Sequence, residues 1–393
     1  MFIEKNICCG CGACVNVCPQ NCINMVIDYE GFSYPKIDKN NCINCGLCKS
    51  KCPAIKINNK KEIMPNAYAV KAKDLELRFV SSSGGAFSII ADYVLKNRGV
   101  VCGAAITSDC KSVEHIIIDK KNDLYKLRSS KYAQSNIGLV YRQINSLLKS
   151  DRIVLFSGTP CQIEGLNSFL GKKYDNLITT EIICHGVPSP ELFKKYISWQ
   201  ELRKGAKIIN VNFRHKKLGW YNYISRFENS NHKIFFSTLR EEPFMQMYLR
   251  NYCIRPSCYN CYSKNFKPRA DFTLGDFWGV KEIMPEFYDD KGVSLILVHN
   301  DKAKNIFENI KNEIEFKETD CMAAIKYNIC MLKSVKKPKE RDTFFEDMNK
   351  YDFGVLSKKY AYVKIKQRIK NRLEMFGFLK IVKRLYRLLI RKK

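Results

Sequence analysis

The spacing of the cysteines in the first sixty residues constrains this chain more than any other feature. Cys8, Cys11, Cys14 and Cys18, closed by Pro19, follow a C-x2-C-x2-C-x3-C-P pattern. The same pattern returns 34 residues later at Cys42, Cys45, Cys48 and Cys52, closed by Pro53. Such an internal repeat implies two equivalent metal-binding loops rather than one. Steps of two residues let a tight loop carry three thiolates around one corner of a cube. Gly10, Gly12 and Gly46 relieve crowding where the backbone approaches it.

The repeat is the bacterial two-cluster ferredoxin signature, in which the fourth cysteine of each run ligates the other cluster. Cluster 1 is therefore expected to take Cys8, Cys11, Cys14 and Cys52, and cluster 2 Cys42, Cys45, Cys48 and Cys18. Cys9 is spare, because Ile43 stands at the matching place in the second run. Zinc ribbons pair C-x-x-C units over longer gaps, and a disulfide framework predicts no proline-closed repeat. Between the runs, apolar and polar residues alternate around Glu30-Gly31, which predicts a hairpin.

With 393 residues and 46% apolar content, the chain can bury a sizeable core in one large and one small domain, or in more. No run of about eighteen apolar residues is present. The first residues lack the basic-then-apolar pattern of a secretory signal. The expected compartment is the cytoplasm, where clustered cysteines bind metal or do redox work; the chain has 19. The net charge of +28 comes with no nucleic-acid-binding motif, so no nucleic-acid partner is expected and the surface is read as generally basic.

After Pro65 strands alternate with helical stretches. "GVVCGAAI", "EHIIID", "RIVLFSG" and "NLITTEII" read as buried strands, and "GGAFSIIADYVLKN" and "PELFKKYISWQELRKG" as helices. "INVNF", "YNYISRF" and "KIFFST" read as antiparallel strands. The expected class is α/β or α+β with a mixed sheet. "SSSGGAFS" (81–88) leads into a helix and can hold a phosphate or simply cap that helix. Thr159, Pro160 and Cys161 follow one strand and Cys184, His185 and Gly186 another, where α/β folds bind ligands. With Cys258 and Cys261, the thiols of Cys161 and Cys184 are candidate ligands of a third iron–sulfur site, and Cys253 is a rival.

Taken together, the doubled cysteine motif, "SSSGGAFS", "SSKYAQS", "FSGTPCQIEGL", "ICHGVPSP", "FRHKKLGW" and "RPSCYNC…ADFTLGDFWG" resemble the coenzyme F-420 hydrogenase/dehydrogenase beta-subunit family. The resemblance runs from residue 1 to about 300. It implies a ferredoxin-like part joined to a flavin domain that moves electrons between iron–sulfur clusters, FAD and a substrate. Ser83, Gly84, Gly85, Lys131, Thr159 and Pro160 would then sit near the flavin, with Ser130 departing from the glycine that usually begins the "GSKY" loop. A flavin exchanges electrons in pairs or singly and a cluster only singly, so the two together gate hydride chemistry to one-electron wiring. Lys131 would stabilise the reduced flavin anion and His185 would donate a proton; alternatively they are a surface lysine and a loop-capping histidine.

From Tyr360 onward, twelve Lys/Arg face Glu374 alone while apolar residues recur at helical spacing. This basic amphipathic helix suits an anionic membrane face, an acidic partner, or its own domain. The expected organisation is a two-cluster ferredoxin-like domain over 1–62, a flavin domain over 63–335 and a basic helical tail over 336–393. The expected function is that of an iron–sulfur flavoprotein oxidoreductase. Its partners are a ferredoxin or other redox subunit and a small hydride donor or acceptor, coenzyme F-420 or another. A non-catalytic relay subunit, or a relative tied to polysaccharide biosynthesis, is the alternative.

Overall fold

The structure, a computed structural model, describes residues 3–55 and 61–362. Most of the amphipathic stretch read as a tail, residues 363–393, lies outside the described residues. Among the described residues no helix is long and apolar enough to cross a membrane.

The two cysteine runs fold alike. In each, a left-handed glycine (Gly12, φ 77°; Gly46, φ 72°) starts a short helix, Ala13–Val17 or Leu47–Ser50. Two residues earlier the pattern repeats with Gly10 (φ 69°) and Asn44 (φ 53°). Asparagine is the non-glycine residue that best tolerates this conformation. Between the runs, β1 (Ile23–Ile27) and β2 (Ser33–Ile37) form the expected antiparallel hairpin.

The centre is an eight-stranded sheet. Its strands are β3 (Asn66–Ala72), β4 (Val100–Ile106), β5 (Val113–Ile118), β6 (Val154–Gly158), β7 (Leu177–Ile182), β11 (Phe272–Asp276), β12 (Ser294–Val298) and β13 (Ile314–Thr319). A separate three-stranded sheet takes β8 (Ile208–His215), β9 (Ile224–Asn229) and β10 (Ile234–Thr238). The large sheet runs β13-β3-β12-β11-β7-β6-β4-β5. β4, β6, β7 and β11 pair in parallel, and antiparallel strands flank them on both sides. The sheet is mixed, as the alternation of apolar strands and helices implies.

Strand periodicity divides the core into two faces. Val101, Leu155 and Ile178 point to one face, packed by the helices Ala86–Lys96 and Asp301–Ile310. Their neighbours Val100, Val154 and Leu177 point to the other, covered by Val140–Lys149 and Pro160–Leu170. A third cluster joins parts far apart in sequence. Phe32 and Tyr34 of the hairpin, Tyr196, Phe213 and Phe244 share it with Phe344, Phe345 and Phe353. The latter lie on the helices Arg341–Lys350 and Phe353–Tyr360, so residues 341–360 pack into the body of the protein.

Gly84 shows how closely the loop before Ala86–Lys96 lies on the sheet. A Cβ there would stand 2.2 Å from the Val70 carbonyl oxygen and 2.6 Å from the Ser294 amide. Both obstacles are backbone and cannot rotate away. Gly84→Ala is expected to lower stability by about 1–3 kcal/mol through overpacking, read as a lower urea midpoint. An unchanged midpoint would mean that the loop can lift from the sheet without cost.

Candidate functional site

The chain crossover of the cysteine motif is realised spatially. Cys8, Cys11, Cys14 and Cys52 line one small cavity, together with Cys9 and with apolar Ile3, Met25, Pro35 and Ala54. Cys42, Cys45, Cys48 and Cys18 line a second, with Ile23, Ile37, Ile43 and Leu47. Each set thus draws its fourth thiol from the other run. Cys22 also lines the second cavity, with its sulfur 3.4 Å from that of Cys18, and the sequence pattern gave no reason to single it out. Among the described residues no group of three or more His, Cys, Asp or Glu side chains converges to hold a single metal ion. Four thiols lining an apolar void are the donor set that a 4Fe-4S cluster takes.

The two cavities differ in exposure. Cys8, Cys11 and Cys52 are buried, whereas Cys45 is exposed and Ile43 and Leu47 reach solvent beside it. The first cavity faces the interior because the larger domain covers it. Arg142 donates to the Asn16 carbonyl (2.7 Å) and the Cys18 carbonyl (2.6 Å), and Ser189 to the Glu30 carbonyl (2.6 Å). Gly165 on the helix Pro160–Leu170 packs against Cys11, where a Cβ would stand 2.9 Å from that of the cysteine.

A cavity of about 450 Å³ opens at the carboxyl ends of β6 and β7, within the usual size of a cofactor site. Ser83, Gly85, Lys131, Thr159, His185, Cys161 and Cys184 all line it, although they come from four separate loops. Gly84 and Pro160 do not line it. Gly84 is lodged against the sheet, and Pro160 opens a helix whose N-cap Thr159 and Gln162 form a capping box. The serine loop caps its helix through left-handed Gly85 (φ 97°), with no side-chain cap, and turns Ser82 and Ser83 towards the cavity.

The 129–132 loop requires a correction. The family's "GSKY" glycine aligns with Ser129, not Ser130, and Ser129 is the residue in the left-handed region (φ 68°). Ser130 instead meets Ser82, its amide donating to the Ser82 hydroxyl at 2.9 Å. This bond ties the two loops together across the cavity. Lys131 Nζ donates to the Arg128 carbonyl and faces the cavity. Its surroundings exclude enough water that burial lowers the ammonium pKa to about 7. His185 lines the same cavity, with Nε2 2.7 Å from the Asn251 side-chain oxygen, and burial lowers its pKa.

Sequence reading missed several lining residues. His115 on β5 donates from Nε2 to the Ser157 carbonyl (3.1 Å), which leaves its buried Nδ1 an acceptor without a partner. Burial lowers its pKa to about 4. An inward-facing histidine before the apolar run Ile116–Ile118 was the available signal. Arg214 pairs with Asp276 (2.8 Å), stacks over Tyr223 (4.0 Å) and keeps its buried Nε unpaired. Nothing in "FRHKKLGW" distinguishes it from its basic neighbours.

Five further cysteines, Cys161, Cys184, Cys258, Cys261 and Cys330, lie near one another beside this cavity. The Cys161 thiol contacts Cys9 and lies near Cys261; Cys184 lies near Cys261 and Cys330, and Cys258 near Cys184 and Cys261. Lys264 ties two of these segments together by donating to the Cys184 and Cys330 carbonyls. Cys9 touches Cys11 on one side and Cys161 on the other, with the Tyr262 hydroxyl 3.5 Å away. It therefore sits where the first cysteine cavity meets the larger domain. Cys253 is wholly buried in the aromatic core, and Cys330 is a neighbour that sequence spacing did not suggest.

Comparison with known proteins gives matches along most of this architecture. Residues 7–55 match the family described as "4Fe-4S dicluster domain". Residues 67–140 and 151–324 match "Coenzyme F-420 hydrogenase/dehydrogenase", as its beta-subunit N-terminal and C-terminal parts. A coenzyme F-420-dependent sulfite reductase from Methanocaldococcus jannaschii is 25% identical over 194 residues, which are 48% of this chain and 29% of that protein. The aligned region is thus under a third of that relative's length. A chain of the F-420-reducing NiFe hydrogenase complex from Methanosarcina barkeri superposes with a TM-score of 0.44 at 15% identity, covering 69% of this chain and 91% of that one.

Proposed function

We propose, for a chain that belongs to the coenzyme F-420 hydrogenase/dehydrogenase beta-subunit family and carries a 4Fe-4S dicluster domain, an FAD-dependent oxidoreductase activity wired to those clusters. One observation carries this reading. Cys161 lines the large cavity and its thiol also meets Cys9, on the wall of the first cysteine cavity. A redox group in the large cavity would lie a short step from the first cluster. The second cysteine set, which opens to solvent at Cys45, would then serve a redox partner, a ferredoxin or another subunit.

The residues present fit a flavin. The cavity has the volume for a ring system, a serine- and glycine-lined rim for phosphate, and the unpaired His115 Nδ1 and Arg214 Nε for polar edges. Bound there, FAD would supply exchange between paired and single electrons. Ser82, Ser83 and Ser130 would orient its polar groups, and Lys131 would set a positive charge against a reduced, anionic ring. Once doubly protonated, His185 would return a proton through Nε2 as Asn251 yields, and burial, which disfavours the imidazolium, favours that release. The partner substrate is coenzyme F-420 or another small hydride carrier. The cysteines 161, 184, 258 and 261 are proposed to hold a third cluster beside the cavity.

Anaerobic purification with iron, sulfide and flavin measured per chain tests this. About eight irons with one FAD supports two clusters and the flavin, and about twelve adds the third. Protein that takes up no FAD under any reconstitution would end the flavin reading.

Lys131 adds a pH test. In the free protein its charge is present below about pH 7 and fades above it, while an anionic ligand favours the charged form. FAD affinity of the flavin-free protein should therefore weaken several-fold from about pH 6 to about pH 8.5, measured by flavin fluorescence. Lys131→Met should flatten that profile. An equally steep profile in the variant would remove Lys131 from the site.

A further inference from the structure

The two cysteine runs are equivalent in sequence, yet their surroundings are not, and the difference centres on one side chain. Arg255 is completely buried. Its Nε donates to the Cys8 carbonyl (2.8 Å), Nη1 to the Gln134 side-chain oxygen (2.8 Å) and Nη2 to the Ser33 carbonyl (3.0 Å). Nη2 also points at the Cys8 sulfur, 3.7 Å away. The guanidinium lies 4.3 Å above the Tyr34 ring. Gln134 completes the arrangement by donating to the Cys9 carbonyl (2.9 Å).

Every acceptor around this cation is neutral unless the cysteines supply charge. Among the described residues Arg255 forms no ion pair with a carboxylate, unlike the buried Arg214, Arg269 and Arg341. A buried guanidinium without a counter-charge is costly, so an anion is expected against it. Among the described residues the anion-forming groups near it are the thiols of Cys8, Cys9 and Cys258 and the Tyr34 phenol, and of these Cys8 is the one Nη2 points at. Among the described residues no buried guanidinium points at a sulfur of the second set. There Arg142 meets the Cys18 carbonyl rather than a sulfur, and the site opens to water.

We propose that Arg255 is a potential-setting residue, whose buried guanidinium raises the midpoint potential of the centre that Cys8 ligates above that of the centre held by Cys18, Cys42, Cys45 and Cys48. This rests on the reading that the two cysteine sets hold 4Fe-4S clusters. Reduction adds one electron and one negative charge to such a centre. A fixed cation and an N–H donor at its sulfur favour the reduced form. The charge is Arg255's own, always protonated, so the effect is independent of pH across the neutral range. The outcome is a directional wire, with the higher-potential centre on the inner side next to Cys9 and Cys161.

The test is an EPR-monitored redox titration of the anaerobically purified full chain, with iron counted in the same samples. The first centre's signal is identified as the one lost in Cys8→Ser. In Arg255→Met with full iron, its midpoint should fall by about 59 mV or more, tenfold in a one-electron equilibrium, while the second stays in place. Arg255→Lys should fall between. Full iron with both midpoints unchanged would overturn the proposal. If Arg255→Met loses iron, the near-isosteric Gln134→Glu decides instead: its carboxylate neutralises the guanidinium in place, and an unchanged first midpoint there overturns it equally. Retention of all iron by Cys8→Ser would sink the ligand reading itself, separately from any shift in the Arg255 variants.

Discussion

Cys18→Ser protein should purify with about four irons per chain fewer than the parent, all from the second set, while the first set, Cys8, Cys11, Cys14 and Cys52, keeps its own. In sequence Cys18 closes the first run, and the two-cluster signature already assigns its thiol to the other centre. In space it lines the cavity of Cys42, Cys45 and Cys48, and Cys52 lines the other. The reason is local. The short helix Ala13–Val17 carries the chain away from its own loop before Cys18 is reached, and Cys18 is extended (φ −68°, ψ 115°). Cys22, with its sulfur 3.4 Å from that of Cys18, is the rival ligand among the described residues, but it stands outside the repeated spacing. Cys22→Ser should therefore keep full iron. Iron and sulfide assays on both variants settle the assignment: full iron in Cys18→Ser with loss in Cys22→Ser would transfer the role. A reduced Cys18→Ser sample should also lose the spectral broadening that arises when two paramagnetic clusters lie close together.

Arg341→Met is expected to destabilise the protein by about 3–5 kcal/mol, the cost of leaving one buried charge unpaired. Arg341 grips Glu30 with both arms, at 2.8 and 2.6 Å, and the two side chains are only 3% and 7% exposed. The same guanidinium donates to the Ile254 carbonyl (3.0 Å) and lies 4.5 Å over the Phe345 ring. One residue thus holds the turn of the ferredoxin hairpin, the segment before Cys258 and the helix Arg341–Lys350 together. A drop in urea midpoint followed by tryptophan fluorescence would report it. Adding Glu30→Gln to Arg341→Met should recover part of the loss, because an orphaned carboxylate is then removed. A variant within about 0.5 kcal/mol of the parent would mean that the aromatic packing alone secures the docking.

The cysteine residues show how unevenly sequence and structure share the information. The doubled run was legible because cluster ligation demands fixed local spacing, and local spacing is what a sequence displays. The strands and helices of the large sheet were legible for the same reason: apolar periodicity is a local pattern, and β4, β6 and β7 fall where the apolar runs lie. The cavity residues were only partly legible. Ser83, Lys131 and Thr159 stand in loops of unusual composition, whereas His115 and Arg214 look ordinary in their own segments. Cys9 was read as spare, yet its thiol touches Cys161, more than 150 positions later in the chain. The place of Ser129 against the "GSKY" glycine can be counted in the sequence, and only its backbone angle shows why a glycine suits it.

What the sequence determined by itself is the set of groups that must meet within a few residues of one another: two four-cysteine loops, a turn at Glu30-Gly31, and a mixed sheet with loops at its strand ends. What only the tertiary structure decided is which of two equivalent loops faces inward. That choice depends on contacts between residues hundreds of positions apart, Arg255 with Cys8 and Arg341 with Glu30. Each is a buried cation needing an anion or a row of carbonyls, a requirement of charge in a dry interior that no local spacing encodes.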